Sequence, residues 1–267
     1  MNTTSSDFRT RLGAGDTLLG TWIKTPDRIV VEVLSGTPMD ALCLDAEHAP
    51  FDRSVLDASV FAARSAGMPV LVRPPSSSPE HILNALDIGA TGVVAPHICT
   101  GEDADNLARH CIFGPGGRGY AGSTRAAGYT RTRMADYRAS ATAATTIIAQ
   151  LEDREALDNL DEIVSVDRID CLFIGRIDLT VSLGAAGPSA PEVMEAMYEI
   201  CAKARQMGRR LGMFVADISE IPQWIECGVS LFLLSSDQSF LQAGASALRD
   251  RFNETLANGK TQERTFP

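Results

Sequence analysis

Three ionisable side chains follow one short apolar segment of the chain. Residues 41–44 are apolar, and Asp45, Glu47 and His48 come directly after them. Apolar side chains are favoured at a buried strand end, so two carboxylates and an imidazole there indicate a role beyond packing. An imidazole exchanges a proton near neutral pH, and Asp45, Glu47 or Asp87 could adjust that exchange. Helix capping, a solvated turn and a hydrogen-bonded core histidine are the structural alternatives.

An arginine follows another apolar segment in the same way. Arg73 comes after residues 69–72 and precedes Pro74 and Pro75, which restrict the backbone. A guanidinium held by such a backbone could bind an oxyanion. The alternative is an ion pair with a nearby acid, and an ion pair is compatible with a role in catalysis.

Two further carboxylates come after apolar segments later in the chain. Glu152 follows residues 146–151, and Asp178 lies close behind residues 171–174. Two carboxylates that leave open coordination positions suit Mg²⁺ or Mn²⁺. The pattern favours Mg²⁺ or Mn²⁺ over zinc, because no histidine or cysteine cluster accompanies the two acids and the four histidines never approach metal-ligand spacing. Helix capping is the alternative for each acid.

A divalent cation, a guanidinium and a base together meet the needs of enolate chemistry. When a proton leaves the methyl group of a 2-oxo acid, negative charge builds on the keto oxygen, and positive charge stabilises it. The same enolate forms when a carbon–carbon bond beside the carbonyl breaks. No lysine stands at any of these strand ends, which argues against Schiff-base catalysis.

The elements that must position these side chains recur along the chain. From residue 17 onward, a short apolar run, a polar loop and an amphipathic stretch repeat, often with a glycine where the helix ends. Continuous apolar runs are typical of parallel strands covered by helices on both faces. We therefore predict a single (β/α)₈ barrel domain over residues 1–267, with active-site residues at the carboxyl ends of its strands. The predicted strands are 17–22, 41–44, 69–72, 92–95, 146–151, 171–174, 211–215 and 230–234.

The composition limits the possible partners. The 267 residues are 45% hydrophobic and carry a formal charge of −10, which argues against a nucleic-acid partner. The six cysteines show no short paired spacing, so we expect a reducing, cytoplasmic location. No apolar run approaches the ~20 residues of a membrane span, so we expect no membrane partner.

A glycine-rich segment interrupts the repeat between the fourth and fifth strands. Residues 114–119 match G-x-G-x-x-G, but a helical pattern precedes them, so we reject a dinucleotide site. Long loops in a compact barrel are usually functional. We expect substrate specificity to lie between Arg118 and Tyr129, and in Arg176.

Several motifs resemble those of the HpcH/HpaI aldolase family, and they occur in family order over most of the chain. The resemblance implies a barrel of the pyruvate/phosphoenolpyruvate superfamily. It also implies metal-dependent, class II aldol cleavage or addition, in which a 4-hydroxy-2-oxo acid is split reversibly into pyruvate and an aldehyde. The motifs are LDAEHAPFD at 44–52, VRPP at 72–75, LDIGATGVVAP at 86–96, AQLED at 149–153 and FIGRIDLTVSLG at 173–184.

The resemblance also implies a role for each matching residue. Glu152 and Asp178 would bind the cation, Mg²⁺ or Mn²⁺ with Co²⁺ as a further candidate. Arg73 would stabilise the enolate oxygen, and His48 would act as base, directly or through water. Asp87 or Asp45 would assist His48 as base. The substrate would be bound by Gln150, by the backbone around Gly175 and Ile177, and by Arg118.

The family further implies a homo-oligomer, often a hexamer built as a trimer of dimers. Its dimers exchange the C-terminal helix, here expected within residues 237–256. Three places depart from the family pattern. Arg176 replaces a usual proline, Leu234-Ser235 replaces a usual Val-Gly, and His97 stands where an apolar residue is often found.

Two other functions remain open at this point. A lyase of the same superfamily could cleave a malyl or citramalyl coenzyme A ester, although its nucleotide would require a basic groove that an acidic chain does not indicate. A non-catalytic barrel that binds a small acid is the second alternative, and it would be expected to lose at least one of the residues that the chemistry requires.

Overall fold

Eight parallel strands close into one barrel in the computed structural model, which describes residues 5–262. Each strand pairs with the next in chain order, and β8 pairs with β1. The predicted (β/α)₈ barrel is therefore confirmed. The strands are β1 Leu18–Ile23, β2 Ala41–Asp45, β3 Val70–Arg73, β4 Gly92–Ala95, β5 Thr146–Leu151, β6 Cys171–Ile174, β7 Arg210–Met213 and β8 Val229–Ser236.

Helices cover the outside of the barrel and run back between the strands. They are α1 Ser5–Ala14, α2 Arg28–Ser35, α3 Arg53–Ser65, α4 Pro79–Asp87, α5 Gly101–Cys111, α6 Met134–Ala144, α7 Arg154–Asp158, α8 Leu160–Ser165, α9 Arg176–Ser182, α10 Pro191–Gln206, α11 Ile221–Glu226 and α12 Asp237–Gln262, with a 3₁₀ turn at Ile218–Glu220. All eight strands lie where the apolar runs predicted them, with ends that differ by at most two residues.

Local sequence signals explain the helix that follows β3. The N-cap of α4 is Ser78, with Pro79 at the first helical position and Ile82 and Leu86 buried on one face. Proline suits this position because its fixed φ matches the helix and its missing N–H would be unpaired there. Gly89 then takes a φ of 99°, a left-handed conformation that glycine adopts without strain.

Two apolar cores hold the barrel together. The larger lies between the strands and the outer helices, and the smaller fills the barrel interior. Phe8 and Leu12 of α1 are fully buried and belong to the interior core, which α1 therefore closes from one end. This helix was not predicted, because the start of the chain is polar and only Phe8 and Leu12 of the ten helical residues pack into the core.

The six cysteines are unpaired, and four of them are buried. No helix within residues 5–262 combines the length and the apolar character needed to cross a membrane. The last helix, α12, differs from the others because every residue from 241 to 258 is exposed.

Candidate active site

A cavity of about 440 Å³ opens at the carboxyl ends of the strands. This is the end of a (β/α)₈ barrel at which active sites form, because the loops that follow the strands meet there. The residues singled out in the sequence for a role at the site that line this cavity are His48, Arg73, Gln150, Gly175, Arg176, Ile177 and Asp178.

A buried ion pair fixes Arg73. The strand register places Asp45 opposite Arg73 at the ends of β2 and β3. Arg73 donates from Nε and Nη2 to the two oxygens of Asp45, at 3.0 and 2.7 Å, and stacks 4.4 Å from the Trp22 ring centroid. Burial alone would raise the pKa of Asp45, but the hydrogen bonds and charge of Arg73 bring that pKa below its ordinary value. The ion pair expected as an alternative for Arg73 exists, and it holds the guanidinium rigidly at the cavity wall.

Glu47 and His48 lie beside this pair. Arg73 Nε is 3.2 Å from Glu47 Oε2, and His48 Nε2 is 3.6 Å from the same oxygen. Burial raises the pKa of Glu47, and the charge of Arg73 opposes that rise. The His48 side chain is half exposed, and its backbone N–H donates to Asp45 Oδ1 at 3.2 Å. His48 is therefore not a core histidine, and its ring reaches the cavity.

Glu152 is deeply buried at this end of the barrel, with 1% of its side chain exposed. It accepts hydrogen bonds from Gln150 Nε2 and, at 3.0 Å, from the His97 backbone N–H. Burial raises the pKa of Glu152 to about 7, although these two hydrogen bonds act to lower it. A Cβ at Gly175 would lie 2.7 Å from Glu152 Oε2, so only glycine leaves the carboxylate this space.

Asp178 lies in the first turn of α9 and lines the same cavity. Gly175 is the N-cap residue of that helix, so Asp178 does not have the capping role considered as its alternative. Ile177 is half exposed at the cavity wall. Glu152 lies beside the backbone of Gly175, and Asp178 follows Gly175 by three residues in the cavity lining.

The donor set fits a divalent cation. Glu152 is buried, and a buried carboxylate is stable in its charged form only when a cation or several hydrogen bonds compensate it. Because Gly175 has no side chain, its backbone leaves space beside Glu152 Oε2. Carboxylate and amide oxygens from Glu152, Asp178 and Gln150 are the hard ligands that Mg²⁺ and Mn²⁺ prefer.

Sequence reasoning missed a lysine in this cavity. Lys24 directly follows β1, lines the cavity and lies 3.4 Å from Asp45 Oδ2. The expectation that no lysine stands at these strand ends was therefore wrong. Asp237 holds this segment in place, because it accepts hydrogen bonds from the backbone N–H groups of Lys24 and Thr25 at 2.8 and 3.0 Å. The β1 end lies one residue later than predicted, and this shift makes Lys24 the first residue after the strand.

A single histidine lies beside Glu152, a contact that the spacing along the chain did not predict. His97 follows β4, and its Nδ1 lies 3.7 Å from Glu152 Oε1 although 55 residues separate the two along the chain. Burial would lower the pKa of His97, but the hydrogen bond to Asp153 and the charge of Glu152 raise it. Phe214, Gln238 and Ser239 also line the cavity and had no sequence signal. Ser235, noted above as a departure from the family pattern, lines it together with Ser236.

Asp87 and Arg118 of the same chain lie away from this cavity. Asp87 ends α4, and its carboxylate pairs with the buried Arg118 guanidinium, which also donates to the Tyr137 hydroxyl at 3.2 Å. Arg118 and Tyr137 line a separate cavity of about 160 Å³ near the amino ends of β4 and β5. Within one chain, the structure does not bring Asp87 or Arg118 to His48. Their predicted roles stay predictions.

Arg176 reaches the cavity wall but is tied down by its neighbours. It donates to Glu220 Oε2 and to the Pro188 carbonyl, both at 2.7 Å, and its side chain is 6% exposed. The residue therefore fastens the start of α9 to the segment before α10 and to the turn before α11. Its guanidinium is largely satisfied within the protein.

Comparisons with known proteins agree with the geometry. A model of the family described as HpcH/HpaI aldolase/citrate lyase matches residues 18–242. A 4-hydroxy-2-oxo-heptane-1,7-dioate aldolase from Salmonella dublin is 32% identical over 246 residues, which cover 92% of this chain and 94% of the relative.

Two crystal structures are similar over nearly the whole length. An HpcH/HpaI aldolase/citrate lyase family protein from Burkholderia cenocepacia J2315 is 33% identical, with a TM-score of 0.86 over 92% of this chain and 98% of the other. An HpcH/HpaI aldolase from Desulfitobacterium hafniense DCB-2 is 27% identical, with a TM-score of 0.81 over 97% of both chains. The chain belongs to the HpcH/HpaI aldolase/citrate lyase family and is an enzyme, a carbon–carbon lyase of the aldolase type.

Proposed function

We propose that the enzyme reversibly cleaves a 4-hydroxy-2-oxo acid into pyruvate and an aldehyde, with the help of a divalent cation. The observation that carries this proposal is the single cavity on which Arg73, His48, Gln150 and Asp178 converge, with Glu152 beneath its wall. The name of the Salmonella relative, an aldolase of a 4-hydroxy-2-oxo dioate, supports the same substrate class.

The cation, when it is held by Glu152 and Asp178, supplies positive charge beside the 2-keto oxygen of the substrate. Arg73 supplies a second positive charge from a fixed direction, since Asp45 binds two of its nitrogens. Charge that is already oriented stabilises a developing oxyanion without reorganisation during the reaction. The backbone around Gly175 and Ile177 lines the space in which the pyruvate carboxylate would lie.

His48 moves the proton in this proposal. During cleavage, a base takes the proton of the C4 hydroxyl, the C3–C4 bond breaks, and the aldehyde leaves. The electron pair stays on the three-carbon fragment as the enolate of pyruvate, which then takes a proton at C3. The half-exposed His48 residue lines the cavity. In this proposal it takes the hydroxyl proton directly or through one water.

Exchange of the pyruvate methyl protons with deuterium tests this site without knowledge of the aldehyde. The wild-type enzyme with Mn²⁺ or Mg²⁺ should exchange these protons, and Glu152→Gln should reduce the rate at least 100-fold. Glu155→Gln, at an exposed position nearby, is the matched control and should exchange normally. Exchange by Glu152→Gln at the parental rate would show that the metal site is assigned wrongly.

His48→Ala separates proton transfer from metal binding. This variant should lose most of the exchange activity and keep most of its affinity for Mn²⁺, because it leaves Glu152 and its hydrogen bonds from Gln150 and the His97 backbone in place. A His48→Ala protein that no longer binds the cation would overturn this division of roles.

The presence of Lys24 in the cavity calls for a further control. If Lys24 formed a Schiff base, borohydride in the presence of pyruvate would inactivate the enzyme irreversibly. We expect no such inactivation, and complete loss of activity with a chelator. Cleavage of a malyl or citramalyl coenzyme A ester, with no activity on 4-hydroxy-2-oxo acids, would contradict the proposed substrate class.

A further inference from the structure

His97 is held in an unusual position at the end of β4. Its φ is 55°, in the left-handed region that few residues other than glycine adopt, with asparagine, aspartate and histidine the commonest of these. Its backbone N–H donates to Glu152 Oε1 at 3.0 Å, which anchors this conformation. The ring therefore projects over Glu152.

The two ring nitrogens of His97 face different carboxylates. Nδ1 lies 2.8 Å from Asp153 Oδ2, a hydrogen-bond distance. Nε2 lies 3.4 Å from Glu47 Oε1. A histidine that ligates a metal almost always gives its other ring N–H to a carboxylate, which fixes both tautomer and orientation. Asp153 has this relation to His97, and it leaves the lone pair of Nε2 directed towards Glu47.

Two of the carboxylates near His97, Glu152 and Glu47, have little exposure to solvent. The Glu152 side chain is 1% exposed and the Glu47 side chain is 10% exposed. One ligand atom from each of Glu47, His97 and Glu152 lies within 4.8 Å of those of the other two. Arg73 faces only the Oε2 side of Glu47, at 3.2 Å, and Glu47 Oε2 still accepts no well-formed hydrogen bond. Two buried carboxylates so close together need more positive charge than one guanidinium supplies.

We propose that His97 Nε2 is a nitrogen ligand of the divalent cation that Glu152 binds, with Glu47 completing this side of the site. The inference rests on the proposed metal dependence of the enzyme, and it concerns a residue that the family pattern does not contain. A nitrogen ligand favours Co²⁺, Zn²⁺ and other transition metals over Mg²⁺, which prefers oxygen alone. The enzyme should therefore discriminate more strongly against Mg²⁺ than an all-oxygen site does.

Metal affinity measured on the chelator-stripped enzyme tests the inference independently of activity. Competition against a chromophoric chelator gives the Co²⁺ affinity, and calorimetry gives the Mg²⁺ affinity. His97→Asn should weaken Co²⁺ binding at least tenfold and change Mg²⁺ binding less than about threefold. Asparagine tolerates the left-handed backbone, so the loop should keep its shape. The control is His110→Asn, in the last turn of α5 and outside the cluster of Glu47, His97 and Glu152, which should change neither affinity.

A second variant and a spectroscopic measurement distinguish the loss of a metal ligand from a failure of folding. Asp153→Asn should weaken Co²⁺ binding less than His97→Asn does, because it disturbs only the orientation of His97. Pulsed EPR of the Mn²⁺-loaded enzyme should contain ¹⁴N modulation that changes when histidine is labelled with ¹⁵N and disappears in His97→Asn.

The outcomes separate the two proposals. Equal Co²⁺ affinities of the wild type and His97→Asn, or Mn²⁺ spectra without histidine nitrogen, would overturn the role of His97 alone. An enzyme that binds none of the three cations would overturn both this inference and the proposed metal-dependent reaction.

Discussion

At the scale of single residues, the site combines one rigid charge with one carboxylate that is costly to ionise. Asp45 fixes Arg73 by two hydrogen bonds in a buried position, so the guanidinium can face the cavity without moving. Glu152 is buried with a pKa raised to about 7. The enzyme keeps this acid where burial opposes its charge, which is the situation that a bound cation relieves.

The raised pKa of Glu152 predicts how stability depends on pH in the metal-free enzyme. Between its ordinary value of 4.5 and about 7, the folded state binds more protons than the unfolded state. Stability therefore falls as pH rises through this range, and the loss is complete above pH 7. Glu152→Gln removes the loss, so it should stabilise the stripped enzyme by roughly 2 to 3 kcal/mol at pH 8 and by little at pH 4.5.

Urea unfolding at the two pH values measures this difference. Glu155→Gln, at an exposed position, should show no comparable change with pH. A Glu152→Gln protein that is destabilised equally at both pH values would show that burial does not raise this pKa.

At the scale of elements, the strand ends decide which side chains can meet. The pairing of β2 with β3 sets Asp45 opposite Arg73, and the pairing of β5 with β6 brings Gly175 beside Glu152. Ser235 at the end of β8 has a φ of 58°, which accounts for the glycine that the family usually has there. Irregularities at strand ends thus shape the cavity, and the pairings of β8 with β1 and with β7 also shift register within the strands.

The contact between β4 and β5 predicts an intolerant position. A Cβ at Gly92 would lie 2.1 Å from the Thr146 carbonyl oxygen, so one of the two strands would have to move. Gly92→Ala should lower the free energy of unfolding by about 3 kcal/mol, because overpacking against backbone has no easy relief. It should also reduce activity, since β4 and β5 carry His97 and Glu152.

Gly114→Ala is the matched control, because a Cβ there meets nothing within 4 Å. It should leave stability unchanged or slightly increase it. Urea unfolding of both variants measures the effect. Equal stability of Gly92→Ala and the wild type would mean that the strands separate more easily than their packing indicates.

At the scale of the whole molecule, the barrel is closed at one end and the last helix extends away from it. Phe8 and Leu12 of α1 fill the end opposite the cavity. The exposed part of α12 carries Leu248 and Phe252 on the same face as Leu241 and Leu256. An apolar stripe along an isolated helix is typical of a surface that another chain covers. This agrees with the expected homo-oligomer with exchanged C-terminal helices, which stays a prediction.

Light scattering coupled to gel filtration tests that prediction. Leu248→Glu combined with Phe252→Glu places two charges on the apolar stripe and should reduce the assembly to smaller species. Ser246→Glu combined with Asn253→Glu adds the same charge to the opposite face of α12 and should leave the mass unchanged. A wild-type enzyme that elutes as a single chain would show that the prediction is wrong.

The sequence by itself determined the barrel and most of the chemistry. Each strand is a continuous apolar run, and the polar residue after each run is necessarily at the carboxyl end, so Arg73 and Asp178 could be placed at the cavity from local pattern alone. Glu152 could be placed at the same end of the barrel, and the structure buries it beneath the cavity wall. Burial on both faces imposes this pattern on parallel strands whatever their partners are.

Only the tertiary structure decided which of these groups touch. The contacts of His97 with Glu152 and of Lys24 with Asp45 depend on strand register and on a left-handed turn, and neither leaves a mark in local composition. The separation of Asp87 from His48 has the same origin, because a helix that returns along the barrel carries Asp87 to the other end. Side chains far apart in sequence meet through the closure of the barrel, which no spacing along the chain records.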